Sequence, residues 1–206
     1  MPVEPAMLLA FLPVSLLLNV TPGPDMLFCL GQGLRAGPRP ALAAALGIGL
    51  GGMVHVLLAG LGLAALVAAW PGLFDAIRWA GVAYLVWVAV RTLGTPLENA
   101  PARPIRPGRA FADGMAVNLL NPKVALFVLA LVPQFVDPAG APVLAQFLLL
   151  GAVISVGGIV VNGAVGLSAG GIGRRLARSP AAERALRWAT GALFLGLAVR
   201  LAVDRR

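Results

Sequence analysis

Long apolar stretches with almost no charge recur along the 206 residues, at about 7–34, 41–69, 73–90, 115–135, 144–168 and 185–203. A helix needs about 20 apolar residues to cross hydrocarbon. The pattern therefore predicts an all-α, polytopic membrane protein of about six transmembrane helices, forming one transmembrane domain over 1–206. Two stretches, the first and the fourth, are interrupted by polar and proline residues. One break reads Asn19-Val20-Thr21-Pro22-Gly23-Pro24-Asp25, the other Asn118-Leu119-Leu120-Asn121-Pro122-Lys123. Charged and amide side chains are costly in hydrocarbon and point to use. A five-span arrangement, with one broken segment re-entrant, is the alternative topology.

Composition strengthens this picture. Apolar residues make up 59% of the chain and charged residues 12%, with a mean hydropathy of +0.90. A soluble domain of this length carries about twice that share of charge. The formal charge of +8 does not indicate nucleic acid, because of where it falls. Eleven arginines lie in the first, third and fifth connections (Arg35 and Arg39; Arg91 to Arg109; Arg174 to Arg187), against Arg78 alone in the second and none in the fourth. The positive-inside rule then places the odd connections in the cytoplasm and both termini outside, although Arg205 and Arg206 run against it. The first residues carry Glu4 and no basic residue. That is not the positive start of a cleaved signal, so the first span is expected to stay in the mature chain. Cys29 is the single cysteine and His55 the single histidine. This argues against a disulfide, a thiol relay, a soft-metal cluster or an enzyme's catalytic constellation, and no cofactor or metal is implied.

An internal repeat divides the chain. Arg78-Trp79-Ala80 to Ala89-Val90-Arg91 in the third span is matched by Arg187-Trp188-Ala189 to Ala198-Val199-Arg200 in the sixth, and Thr21-Pro22 by Asn121-Pro122. Half-repeats of about 1–94 and 110–206 follow, joined by a Pro- and Arg-rich linker at about 95–109. Three spans per half make the second half enter from the opposite side, a 3+3 inverted repeat. Transporters use such repeats to place discontinuous helices at a central site. A scaffold without transport would not need two symmetric polar breaks.

The breaks share a local grammar. Thr21 and Asn121 suit an N-cap, and Pro22 and Pro122 the first helical position. Each break is expected to start a half-helix whose free amides and positive dipole end suit a carboxylate. Gly23 allows bending or close approach, and Pro24 removes a further amide. The candidate substrate-binding residues are Thr21, Pro22, Gly23, Pro24, Asp25, Asn118, Asn121, Pro122 and Lys123. Asp25 either holds a substrate ammonium or a coupling proton, or caps its half-helix. Lys123 opposes its helix dipole and either pairs with a carboxylate or snorkels to the interface. His55, mid-span, either relays protons or is bonded across helices, so Asp25 and His55 are the candidate proton-coupling groups. Asp113 beside Arg109 suggests a cap or an ion pair. Gln32, Ser155 and Asn162 are expected to serve packing, and Gly47-x-x-x-Gly51 close helix approach.

These motifs resemble the LysE/RhtB amino-acid exporters. The likeness lies in Thr21-Pro22-Gly23-Pro24-Asp25, in Gly47-x-Gly49-x-Gly51 with His55, and in Trp79-Ala80-Gly81-x-x-Tyr84-Leu85. It continues through 114–135, with Asn121-Pro122-Lys123 and Pro133-Gln134-Phe135. The resemblance covers nearly the whole chain. It implies a secondary transporter of the bacterial inner membrane that exports amino acids such as lysine, homoserine, threonine or leucine, driven by protons. It carries the motif positions onto Pro22, Gly23, Pro24, Asp25, Asn121, Pro122 and Lys123, although many members have Asn in place of Asp25. The expected partners are a small-molecule amino acid and membrane lipid, with no nucleic acid; a homo-oligomer is compatible with the sequence. Export of another small ion, such as a metal cation, is the competing reading.

Overall fold

The computed structural model describes residues 2–69 and 106–169, with scattered helical positions in 79–90 and 181–203. The repeat at 78–91 and 187–200 and the linker at 95–105 lie outside the described residues, apart from helical positions such as Trp79 and Trp188. Among the described residues the fold is all helix. α1 spans Pro5–Val20, α2 Pro24–Ala36 and α3 Pro38–Ala69. α4 spans Pro107–Leu119, α5 Pro122–Ala130 and α6 Val143–Ser168, with a 3-10 turn at Val132–Phe135 after α5.

α3 and α6 are each long and apolar enough to cross a membrane. α1 and α2 together make a bent span with a 55° angle, and α4 with Lys123–Phe135 makes another at 54°. A broken helix followed by a long helix thus occurs twice, as the two sequence breaks require. α4 begins eight residues before the expected start at 115. Pro107 suits its first position, and Arg109 Nε pairs with Asp113 Oδ1 at 2.8 Å one turn on, a contact worth about 0.3–0.5 kcal/mol at an exposed site.

The first break departs from the expected grammar. Thr21 is the C-cap of α1, and α2 starts at Pro24 behind an extended Gly23. Each proline disfavours helical backbone in the residue before it. With Pro22 and Pro24 alternating, Thr21 and Gly23 are both extended, and Pro24 is the first place a helix can start. Thr21 Oγ1 instead donates back to Leu17 O at 2.6 Å. The second break follows the expected form: Asn121 is the N-cap and its Oδ1 accepts from Lys123 N at 3.0 Å. At the other end of α2, Gly37 takes φ 87°. This left-handed turn, tolerated by glycine, returns the chain into α3.

The packing is that of a membrane protein. Leu42, Leu46, Leu50, Leu57 and Leu61 form the exposed face of α3, while Ala41, Ala44, Ala45, Ile48 and Val56 face inward. Small residues inside let helices approach, and lipid accepts the leucines. Gly47 and Gly51 lie against Phe111, Met115 and Asn118 of α4, the close approach their spacing suggested. One apolar cluster joins Phe11, Leu18, Val124, Phe127, Phe147 and Ile154, with Phe11 and Phe135 edge to face at 5.0 Å. A second joins Cys29, Ala44, Ala45, Ile48 and Ala110.

The topology is tested by reporter fusions. Fusions after Arg39 and Arg109 are expected to report the cytoplasm and one at Gly140 the periplasm. A cytoplasmic signal at Gly140 defeats the six-span inverted arrangement.

Candidate functional site

Between the two clusters, where the breaks meet, lies a small cavity of about 30 Å³. Leu18, Val124 and Ile154 of one cluster and Ile48 of the other line it, so part of its wall is apolar. Apart from Met26, the rest of its lining is polar or small: Asn19, Thr21, Asp25, Asn118, Lys123, Ser155 and Asn162, with Gly49, Gly52 and Gly158. Its volume suits one or two water-sized groups.

Asp25 and Asn118 meet across the breaks. Asn118 Nδ2 donates to Asp25 Oδ2 at 2.9 Å, and no ion pair reaches Asp25 among the described residues. The carboxylate does not cap α2, although it sits in that helix's first turn. Asp25 Oδ1 is buried without a partner. An under-satisfied carboxylate at this depth is costly.

Lys123 crosses the cavity in the other direction. Its Nζ donates to Thr21 O at 2.9 Å and Leu18 O at 3.3 Å. These are carbonyls at the C-terminal end of α1, orphaned by the break. A cation there is favourable against the helix dipole, so the placement that looked wrong for its own helix is right for α1. Gly23 leaves room for it, since a Cβ at that position would lie 3.1 Å from Nζ.

The amides of α5 are not free, contrary to expectation. Lys123 N is capped by Asn121 Oδ1, and the Val124 and Ala125 amides donate to Asn121 O. The proline-started helix closes on its own N-cap and offers no anion site. At α2 the Asp25 and Met26 amides have no acceptor among the described residues. Pro22, Pro24 and Asn121 shape the breaks without lining the cavity, and Pro122 starts α5. His55 also lies off the cavity. It bonds across helices, its Nε2 at 3.1 Å from Asn118 O. A carbonyl only accepts, so Nε2 carries the hydrogen.

Asn19, Ser155 and Asn162 belong to the cavity although the sequence had marked the last two for packing. Asn19 Nδ2 donates to Ile154 O at 3.1 Å. Ser155 and Asn162 lie two turns apart on one face of α6, with Gly158 between them. Polar residues at that spacing in an otherwise apolar 26-residue helix were the available signal.

Two bent spans, two long apolar helices and a buried polar joint between them define a multi-pass membrane translocator. The chain belongs to the LysE type translocator family, which it matches over residues 16–205. It is 35% identical over 202 residues to the homoserine/homoserine lactone efflux protein of Salmonella typhimurium, covering 95% of this chain and 96% of that one. It is 32% identical to an uncharacterized membrane protein of Vibrio cholerae, over 96% and 97% of the two chains. The leucine efflux protein of an Enterobacter species is 29% identical, over 89% of each. No solved structure matches the chain. It is a multi-pass protein of the bacterial inner membrane.

Proposed function

We propose that this translocator exports amino acids or close derivatives from the bacterial cytoplasm and draws on the proton gradient to do so. Relatives named for efflux of homoserine, its lactone and leucine support the substrate class. One observation carries the mechanism: the buried Asp25 carboxylate, with a vacant oxygen, on the polar cavity where both breaks meet. Such a group is stable in hydrocarbon only when neutralised. It binds a cationic group arriving from the cytoplasm, releases it outward, and takes up a proton for the return. Lys123 holds the end of α1 and so positions the wall of the site. The cavity is too small for a whole amino acid, so the helices part on binding.

The test is efflux from proteoliposomes loaded with homoserine or leucine, with and without an imposed proton gradient. The gradient is expected to accelerate wild-type export. Asp25→Asn is expected to lose most of that acceleration, about tenfold or more, and His55→Gln to keep it. Full acceleration in Asp25→Asn removes Asp25 from the coupling.

A further inference from the structure

Three side-chain oxygens of cavity residues have no partner: Asp25 Oδ1, Asn118 Oδ1 and Ser155 Oγ. They come from α2, α4 and α6, and their residues are 6%, 3% and 7% exposed. Buried polar atoms are nearly always satisfied, so three vacant acceptors on one cavity call for a shared occupant. α3 brings Ile48, Gly49 and Gly52 to the lining. A methyl group at Gly52 would lie 3.2 Å from Ser155 Oγ and 4.0 Å from Asn118 Oδ1, so the glycine leaves the space beside both oxygens open.

We propose that this cavity seats the ammonium group of the substrate and selects an unsubstituted primary ammonium over N-alkylated or N-acylated amines. The inference rests on the amino-acid export reading and narrows it. An ammonium is water-sized and carries three N–H donors, to be met by three vacant oxygens, one of them on a carboxylate. Each N-methyl group adds volume to a cavity of about 30 Å³ and removes a donor. An N-acyl group removes the charge and leaves Asp25 bare. The remainder of the amino acid lies beyond the cavity, where the helices part. A sodium ion shares the preference for hard oxygens, so the experiment separates the two.

Binding of L-homoserine and its N-methyl, N-trimethyl and N-acetyl derivatives is measured by calorimetry on the purified full chain. Each titration is run with sodium and with tetramethylammonium as the buffer cation. Homoserine is expected to bind at least tenfold tighter than the trimethyl form, with no binding of the acetyl form and no sodium requirement. Ser155→Ala is expected to weaken homoserine about tenfold, the effect of one charge-assisted hydrogen bond, yet to raise the thermal midpoint by removing an unpaired buried hydroxyl. A purely structural Ser155 would lower both together. Gly52→Ala is expected to weaken homoserine as well, by filling the space beside Ser155. Equal affinity for homoserine and its trimethyl form overturns the inference and leaves amino-acid export standing. Sodium-dependent stabilisation with no discrimination among the amines assigns the oxygens to an inorganic cation and also overturns it. Failure to bind homoserine or leucine in any form overturns the export reading itself.

Discussion

Lys123→Met is expected to reduce export by at least about tenfold, and to do so equally for an amino acid and for its neutral amide. Methionine keeps the length and apolar body of the side chain and removes only the ammonium. The Thr21 and Leu18 carbonyls then lose the donor that joins α1 to α5 across the break. A buried carbonyl left without a partner costs about 1–3 kcal/mol, and two are stranded together. The end of α1 loosens, and the adjoining Asp25 loses its fixed distance to Asn118. The sequence alone favoured Lys123 as the partner of a carboxylate. Two of its three donors are engaged by backbone instead, so the amide is expected to suffer as much as the acid. The measurement is competition of acids and amides in proteoliposomes at matched protein levels. A loss confined to the acid would assign Lys123 to the substrate carboxylate. Gly23→Ala is expected to act in the same direction more weakly, because a methyl group 3.1 Å from Nζ moves the flexible end of Lys123 by only a few tenths of an ångström.

Gly47→Ala is expected to destabilise the protein by about 1–3 kcal/mol, the range of an overpacked core, and to lose export with it. An added methyl group would fall on the Phe111 carbonyl, within 2.9 Å of its carbon and 3.0 Å of Met115 N. Those atoms are helix backbone and cannot rotate away. α3 and α4 must separate, and α4 carries Asn118, whose amide holds Asp25. The packing is reciprocal, since a Cβ on Gly114 would lie 3.0 Å from Ala44 Cα. Gly62, on the same helix, meets nothing within 4 Å among the described residues. Gly62→Ala is therefore expected to be neutral or slightly stabilising, because alanine is the better helix former by about 1 kcal/mol. Thermal unfolding of both variants in detergent gives the comparison. Wild-type stability in Gly47→Ala would show that backbone contact does not set the α3–α4 distance.

The parts legible in the sequence were those written in local terms. Proline in an apolar stretch ends a helix wherever the chain goes, so both breaks were placed within a few residues. α3 and α6 followed from the length of their apolar runs, and the second break from the fit of Asn121 and Pro122 to a helix start. The first break was misjudged at the level of residues. Thr21 is as good an N-cap as any, and only the paired prolines, each restricting its predecessor, move the start of α2 to Pro24. Ser155 and Asn162 were passed over because a small polar residue in a membrane helix usually serves packing.

The sequence by itself determined that this is a helical membrane protein with two broken spans and that Asp25 and Lys123 lie inside them. Hydropathy and proline act through the residue and its near neighbours, so no fold is needed to see them. The tertiary structure decided which group each of these residues meets. Asp25 meets Asn118, 93 residues away, and Lys123 meets the end of α1 across 102 and 105 residues. It also decided that the amides of α5 are closed and that three oxygens of cavity residues are left vacant. A hydrogen bond depends on ångström distances between segments, and those are set by how closely the glycine faces of α3, α4 and α6 pack. No spacing along the chain encodes them.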